Sequence, residues 1–121
     1  MGFLLMKLPI IVAEGPFCIM FYTSVKTATA SLEPIDVSAC VFRAWDAEGR
    51  PVELLVEEEP HRWFSVGRKS TVLRCDENQP KQTEELRSLL INLLTRIGIT
   101  GKEAAPLEEL IRIAMEHGSV D

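Results

Sequence analysis

The spacing of apolar residues changes once along this chain of 121 residues, and the change determines the fold class. Before residue 76, apolar residues form short runs of strand length or alternate with polar residues. After residue 80 they recur with helical spacing, at Leu86, Leu89, Leu90, Leu93, Leu94 and Ile97. Strands followed by helices are typical of an α+β fold, whereas strands alternating with helices would indicate a parallel sheet.

Turn residues divide the first part of the chain into short segments. The sequence predicts strands at 8–12, 17–22, 37–45, 51–58, 63–66 and 70–75. Ser24 is a typical helix N-cap and Pro34 a typical helix end, so a short helix is predicted at 24–32. Gly49 supplies the positive φ that a short loop needs. Residues 46–50 are therefore predicted to join the third and fourth strands as a hairpin.

Two helices, each with a single apolar stripe, are predicted for the second part of the chain. Pro80 suits the first turn of one helix and Gly98 its end, which places this helix at 80–97 or 81–97. Pro106 opens the other helix, which runs to His117. We predict one α+β domain over residues 1–121, in which both helices pack on one face of an antiparallel sheet of four to six strands, with the short helix after the second strand. Residues 1–5 are predicted to be an upstream extension or disordered.

Net charge and cysteine content limit the cellular compartment and the classes of binding partner that we expect. The formal net charge is −5, which argues against nucleic acid and membrane surfaces as partners. The N-terminal apolar stretch is interrupted by Lys7, Pro9 and Glu14 before it reaches the length of a membrane-spanning helix. The chain has 3 cysteines, an odd number that cannot form a closed disulfide set. We therefore expect a cytoplasmic protein.

The sequence shows no pattern of catalytic or metal-binding residues. His61 and His117 lie in different predicted elements, whereas a catalytic zinc site commonly combines two or three histidines with an acid. We expect no cofactor, no metal and no enzymatic activity. The alternative is a small-ligand-binding protein or minor enzyme, with a site between sheet and helices that uses His61, Arg43 or Cys40.

Charge is distributed unevenly between two adjacent segments. Residues 46–59 carry six acids and one base, whereas residues 61–75 carry four bases and no acid. One interpretation is that neighbouring strands pair these charges, with each pair contributing about 0.2–1 kcal/mol. The other is an acidic hairpin that binds a basic protein. Trp45 is then either an exposed aromatic anchor or a partly buried residue packed under long charged side chains. The candidate partner-binding residues are Trp45, Asp46, Glu48, Glu57 and Glu58.

Two segments resemble small uncharacterised bacterial proteins. Leu32-Glu33-Pro34-Ile35-Asp36-Val37 is similar to their LEPIDV segment, and Asp46-Ala47-Glu48-Gly49-Arg50 to their DxxGR hairpin. Small acidic α+β chains of this kind resemble immunity proteins of bacterial toxin systems, which bind and block a cognate toxin. The resemblance implies a non-catalytic module that occludes a toxin, and the acidic hairpin predicts that this toxin is basic. A homodimer formed through an exposed Trp45 face is a further hypothesis.

Overall fold

The computed structural model describes residues 6–15, 18–32, 42–58, 69–75, 79–117 and 119–120. The strands in these ranges are β1 (Ile10–Glu14), β2 (Cys18–Tyr22), β3 (Phe42–Trp45), β4 (Val52–Glu58), β5 (Lys69–Cys75) and β6 (Ser119–Val120). The helices are α1 (Val25–Ser31), α2 (Thr83–Arg96) and α3 (Leu107–His117). The chain is therefore α+β, as predicted, with two of these helices near its C-terminus. None of the described helices is both long and apolar enough to cross a membrane.

The described strands form two sheets, whereas the sequence predicted one. β3, β1 and β2 lie side by side in that order and are antiparallel, so that Ile11 lies opposite both Phe21 and Trp45. The two-residue strand β6 extends this sheet in parallel to β2. β4 and β5 form a separate antiparallel pair. The predicted strand 63–66, residues 37–41 of the third predicted strand and residues 1–5 lie outside the described residues.

The predicted hairpin between the third and fourth strands is wrong beyond its first residue pair. Trp45 and Pro51 form one isolated antiparallel bridge, and the loop between them is closed by the Asp46 amide, which donates to the Arg50 carbonyl. Pro51 has no amide hydrogen with which to continue a ladder. Among the described residues no further pair joins these two strands: β3 pairs with β1, and β4 pairs with β5.

The β3-β1-β2 sheet is covered on both faces. One face packs against buried leucines and isoleucines of α2 and α3, through Ile11, Ala13, Phe21 and Trp45. The other face packs against α1 and the β4-β5 pair, through Ile10, Val12, Tyr22 and Ala44. Residues 10–13 of the central strand β1 are all buried, so this segment is a continuous apolar run without polar alternation.

The ends of the helices follow from local hydrogen bonds. Ser24 caps α1, since its hydroxyl accepts a hydrogen bond from the Thr27 amide at 3.1 Å. α2 begins at Thr83, a few residues after the predicted start, and its buried residues Leu86, Leu90 and Leu94 belong to the predicted stripe. α2 therefore presents to the sheet the face that its periodicity indicated.

Candidate functional site

Trp45, the predicted aromatic anchor, lies in the core. Its side chain is only 2% exposed, because α2 covers the sheet at this point. The indole Nε1–H donates to Gln82 Oε1 at 2.8 Å, and the Arg43 guanidinium lies 4.8 Å from the ring centre. This is a buried tryptophan beneath a long charged side chain, and it offers no aromatic surface to a partner or to a second copy of the chain.

Asp46 is also buried, with 0% exposure, and it organises the loop that follows β3. Its Oδ1 accepts hydrogen bonds from the amides of Glu48 and Arg50, both at 2.9 Å. Its Oδ2 accepts from the Lys7 amide at 3.3 Å and from Arg50 Nη1 at 3.4 Å. These contacts tie the segment before β1 to the 46–50 loop, so the role of this carboxylate is structural.

Glu48 lies partly exposed among three cations. We call this group of charged residues the turn cluster; its members are Lys7, Asp46, Glu48, Arg50 and Lys81. Its carboxylate lies 2.5 Å from Arg50, 3.5 Å from Lys81 and 3.6 Å from Lys7. Burial raises the pKa of Glu48, but the attraction of Arg50, Lys81 and Lys7 outweighs burial and holds it below its ordinary value. Glu48 is therefore paired within the chain.

The acidic stretch continues into β4, where the predicted cross-strand pairing is confirmed. Glu53 lies opposite Arg74, and Arg74 Nη2 donates to Glu53 Oε2 at 2.7 Å. By backbone register, Glu57 lies opposite Ser70 and Glu58 opposite Lys69. Within the described residues, the ion pair that joins the acidic and basic segments across the β4-β5 pair is therefore that of Glu53 with Arg74.

The alternative ligand site predicted from the sequence is described at one residue only. Arg43 is exposed and its Nη2 lies 2.5 Å from Glu85 Oε2. Cys40 and His61 lie outside the described residues. Among the residues that the structure describes, no three His, Cys, Asp or Glu side chains are arranged to hold a metal ion.

The described residues form a groove that the sequence did not predict, with a volume of about 690 Å³. It lies where the segment before β1, the 46–50 loop, the start of α2 and one side of α3 meet. Its principal apolar residues are Leu8, Pro9, Leu107, Ile111 and Met115. Its charged residues are Lys7, Glu48, Lys81, Glu108 and Arg112.

Backbone contacts hold the walls of this groove together. The Ala47 amide donates to the Lys7 carbonyl at 2.7 Å, and the Gln82 amide donates to the Gly49 carbonyl at 2.7 Å. Gly49 has φ +84°, and a Cβ at this position would lie 2.9 Å from Thr83 Cα. The loop therefore sits directly on the start of α2, which only glycine allows without a shift of the backbone.

Sequence signals for the groove exist, but they are dispersed. Leu107, Ile111 and Met115 recur every four residues along α3, and Leu8-Pro9 is an apolar pair just before a strand. Their spacing in the sequence does not indicate that they meet. They meet through the 46–50 loop, in which Asp46 accepts a hydrogen bond from the amide of Lys7, 39 positions away. No protein-family model matches this chain, and no curated protein or solved structure is significantly similar to it.

Proposed function

We propose that this chain is a non-catalytic protein-binding module and that the groove receives an apolar side chain of its partner. The observation that carries the proposal is Leu8, which is 45% exposed while it lines a concave site beside Pro9 and Met115. Apolar side chains in a concavity, bordered by charged side chains, are typical of the centre and rim of a protein interface.

The groove supports the proposal better than the acidic hairpin does. Asp46 is buried, Glu48 is surrounded by cations and Glu53 is paired with Arg74. A basic toxin would have to displace these internal bases before it gained the same carboxylates. Blocking a partner by occlusion, as immunity proteins do, remains our proposal for the mode of action, with the groove as the contact surface.

The test is a selection of displayed random dodecapeptides on the immobilised chain, followed by fluorescence anisotropy with each enriched peptide. Leu8→Glu places a charge among the apolar residues of the groove. We expect it to weaken binding at least about tenfold, as loss of an interface anchor does. Met115→Glu is a second groove variant that should act in the same direction.

Ile97→Glu is the matched control, because Ile97 is 47% exposed but does not line the groove. We expect its affinities to stay within about twofold of those of the original chain, as for a residue outside the interface. Circular dichroism should show all three variants folded. Failure to enrich any peptide, or equal losses in Leu8→Glu and Ile97→Glu, would contradict the proposed function.

A further inference from the structure

The charges of the turn cluster are not balanced. Lys7, Arg50 and Lys81 supply three cations, whereas Asp46 and Glu48 supply two anions. Asp46 is buried, and Arg50 lies close to both carboxylates. The lysines are the outer members, since the side chain of Lys7 is 65% exposed and that of Lys81 is 51% exposed. A molecule that approaches the cluster therefore meets positive charge first.

The two lysines are also the members of the cluster that are easiest to redirect. Their amines lie 3.6 Å and 3.5 Å from Glu48, distances at the long end for an ion pair, while Arg50 holds the same carboxylate at 2.5 Å. A lysine amine sits on a flexible four-carbon chain, so it can turn toward a new carboxylate at little cost. Arg50 would continue to neutralise Glu48.

A bound anion could lie beside Lys7 and Lys81 or beside α3, and the charged residues of α3 favour the first position. Arg112 is paired with Glu109 and Glu116 of its own helix, at 3.7 Å and 2.8 Å. Glu108 lines the groove on the same helix and would repel a second acid there. Lys7 and Lys81 both line the groove, as does the exposed Leu8.

We infer that the partner segment presents a carboxylate beside its apolar side chain, with the carboxylate bound between Lys7 and Lys81 while the apolar group contacts Leu8 and its neighbours. This inference rests on the proposed function and specifies the chemistry of the partner. The segment is an acidic and apolar stretch of another protein, so the preferred partner is acidic at the point of contact. The acidic hairpin predicted the opposite, a partner that is basic at the point of contact.

The experiment compares two arrays of octapeptides with acetylated N-termini and amidated C-termini. Peptides of the first array contain apolar residues together with Asp or Glu. Those of the second array are identical except that Asn replaces Asp and Gln replaces Glu. We expect the chain to bind the acidic peptides about three- to fivefold more tightly, the size expected for partly exposed ion pairs. The preference should decrease between low salt and about 0.5 M salt, because the lysines are solvent-exposed.

Lysine variants assign this preference to the groove. Lys7→Met and Lys81→Met together should remove it and leave the amide peptides unaffected, since the Lys7 contacts that hold the loop are made by its backbone. Lys26→Met is the matched control, because Lys26 is exposed on α1 and does not line the groove. Glu48→Gln should strengthen binding of the acidic peptides, as it removes the carboxylate that competes for the lysines.

The outcomes separate the inference from the proposed function. Equal binding of both arrays that is still lost in Leu8→Glu would overturn the inference and leave the protein-binding proposal standing. No binding by either array would overturn the inference, and the dodecapeptide selection then decides the proposed function by itself. Saturable, stoichiometric binding of octanoate by a chain that binds no peptide would overturn both, because it would indicate a small-ligand site.

Discussion

Glu48 and Glu53 belong to the same acidic stretch of sequence, but the chain neutralises them in different ways. Glu53 lies across from Arg74 in the β4-β5 pair, where the register of two strands brings one acid to one base at 2.7 Å. Glu48 contacts Lys7, Arg50 and Lys81, which come from three separate parts of the chain. The Glu53–Arg74 ion pair joins one acid to one base, whereas the turn cluster has three cations and two anions. Converging segments can therefore produce a local charge that no segment shows by itself.

The largest difference between these two regions should appear when each loses one carboxylate. Asp46→Ala leaves the amides of Glu48 and Arg50 without their acceptor and removes the buried partner of the Arg50 guanidinium. We expect the free energy of unfolding to fall by about 3 kcal/mol. Glu53→Ala is the comparison and should cost about 0.5–1 kcal/mol, because both partners of its ion pair are partly exposed. Urea denaturation measures both values, and equal losses would show that the two regions are energetically alike.

The contact between the 46–50 loop and α2 should be the next most sensitive feature. In Gly49→Ala the new methyl group meets the backbone of Thr83, which is fixed by the first turn of α2. Gly98→Ala is the matched control, since Gly98 also has a positive φ, +93°, but no atom lies within 4 Å of its Cβ position. We expect Gly98→Ala to cost about 1 kcal/mol through backbone strain, and Gly49→Ala at least about 1 kcal/mol more through the close approach. Similar losses in both variants would mean that the loop can move off the helix.

The sequence predicted the elements that one segment determines by itself. The apolar stripe of α2 is its buried face, as its periodicity indicated. Between segments, the contact of Glu53 with Arg74 agrees with one of the two interpretations of the uneven charge. The division into two sheets was not predicted, because alternation shows which residues share a face but not which strands are neighbours. β1 illustrates the limit, since residues 10–13 supply both cores.

The surroundings of Trp45, Asp46 and Glu48 could not be predicted from the sequence, for a related reason. Trp45 was assigned to a surface because nothing near it in the sequence shows that α2 covers it and that Gln82 accepts its indole hydrogen. Asp46 was assigned to a partner surface. The sequence does not reveal its hydrogen bond to the Lys7 amide, because the two residues lie 39 positions apart. Glu48 was predicted to face a basic partner, but its carboxylate contacts Lys7, Arg50 and Lys81 of the same chain.

A pH titration tests whether the cations of the turn cluster dominate the energetics of Glu48. The folded chain holds the pKa of Glu48 below its ordinary value of 4.5, so ionisation of this group stabilises the fold above that pH. As the pH falls through the lowered pKa, this contribution is lost. The difference in unfolding free energy between the original chain and Glu48→Gln should therefore be constant above about pH 5.5 and decrease below 4.5. Chemical denaturation at a series of pH values gives this difference directly.

The control for the titration removes two of the three cations. In a chain with Lys7→Met and Lys81→Met, Arg50 alone opposes the effect of burial on the pKa of Glu48. The acid-dependent part of the Glu48→Gln difference should become smaller in this background. A difference that grows on acidification would mean that burial, and not the attraction of the cations, determines the pKa of Glu48.

The smallest expected effect is the coupling between Glu53 and Arg74. A double-mutant cycle with Glu53→Gln and Arg74→Gln should give about 0.2–1 kcal/mol, since the ion pair lies on a partly exposed face of the β4-β5 pair. The coupling should decrease at about 0.5 M salt, because exposed charges are screened. The reversed pair, Glu53→Arg with Arg74→Glu, keeps the opposite charges across the same register and should recover most of the coupling. A coupling as large as the loss in Asp46→Ala would remove the distinction between a locally paired carboxylate and one held by converging segments.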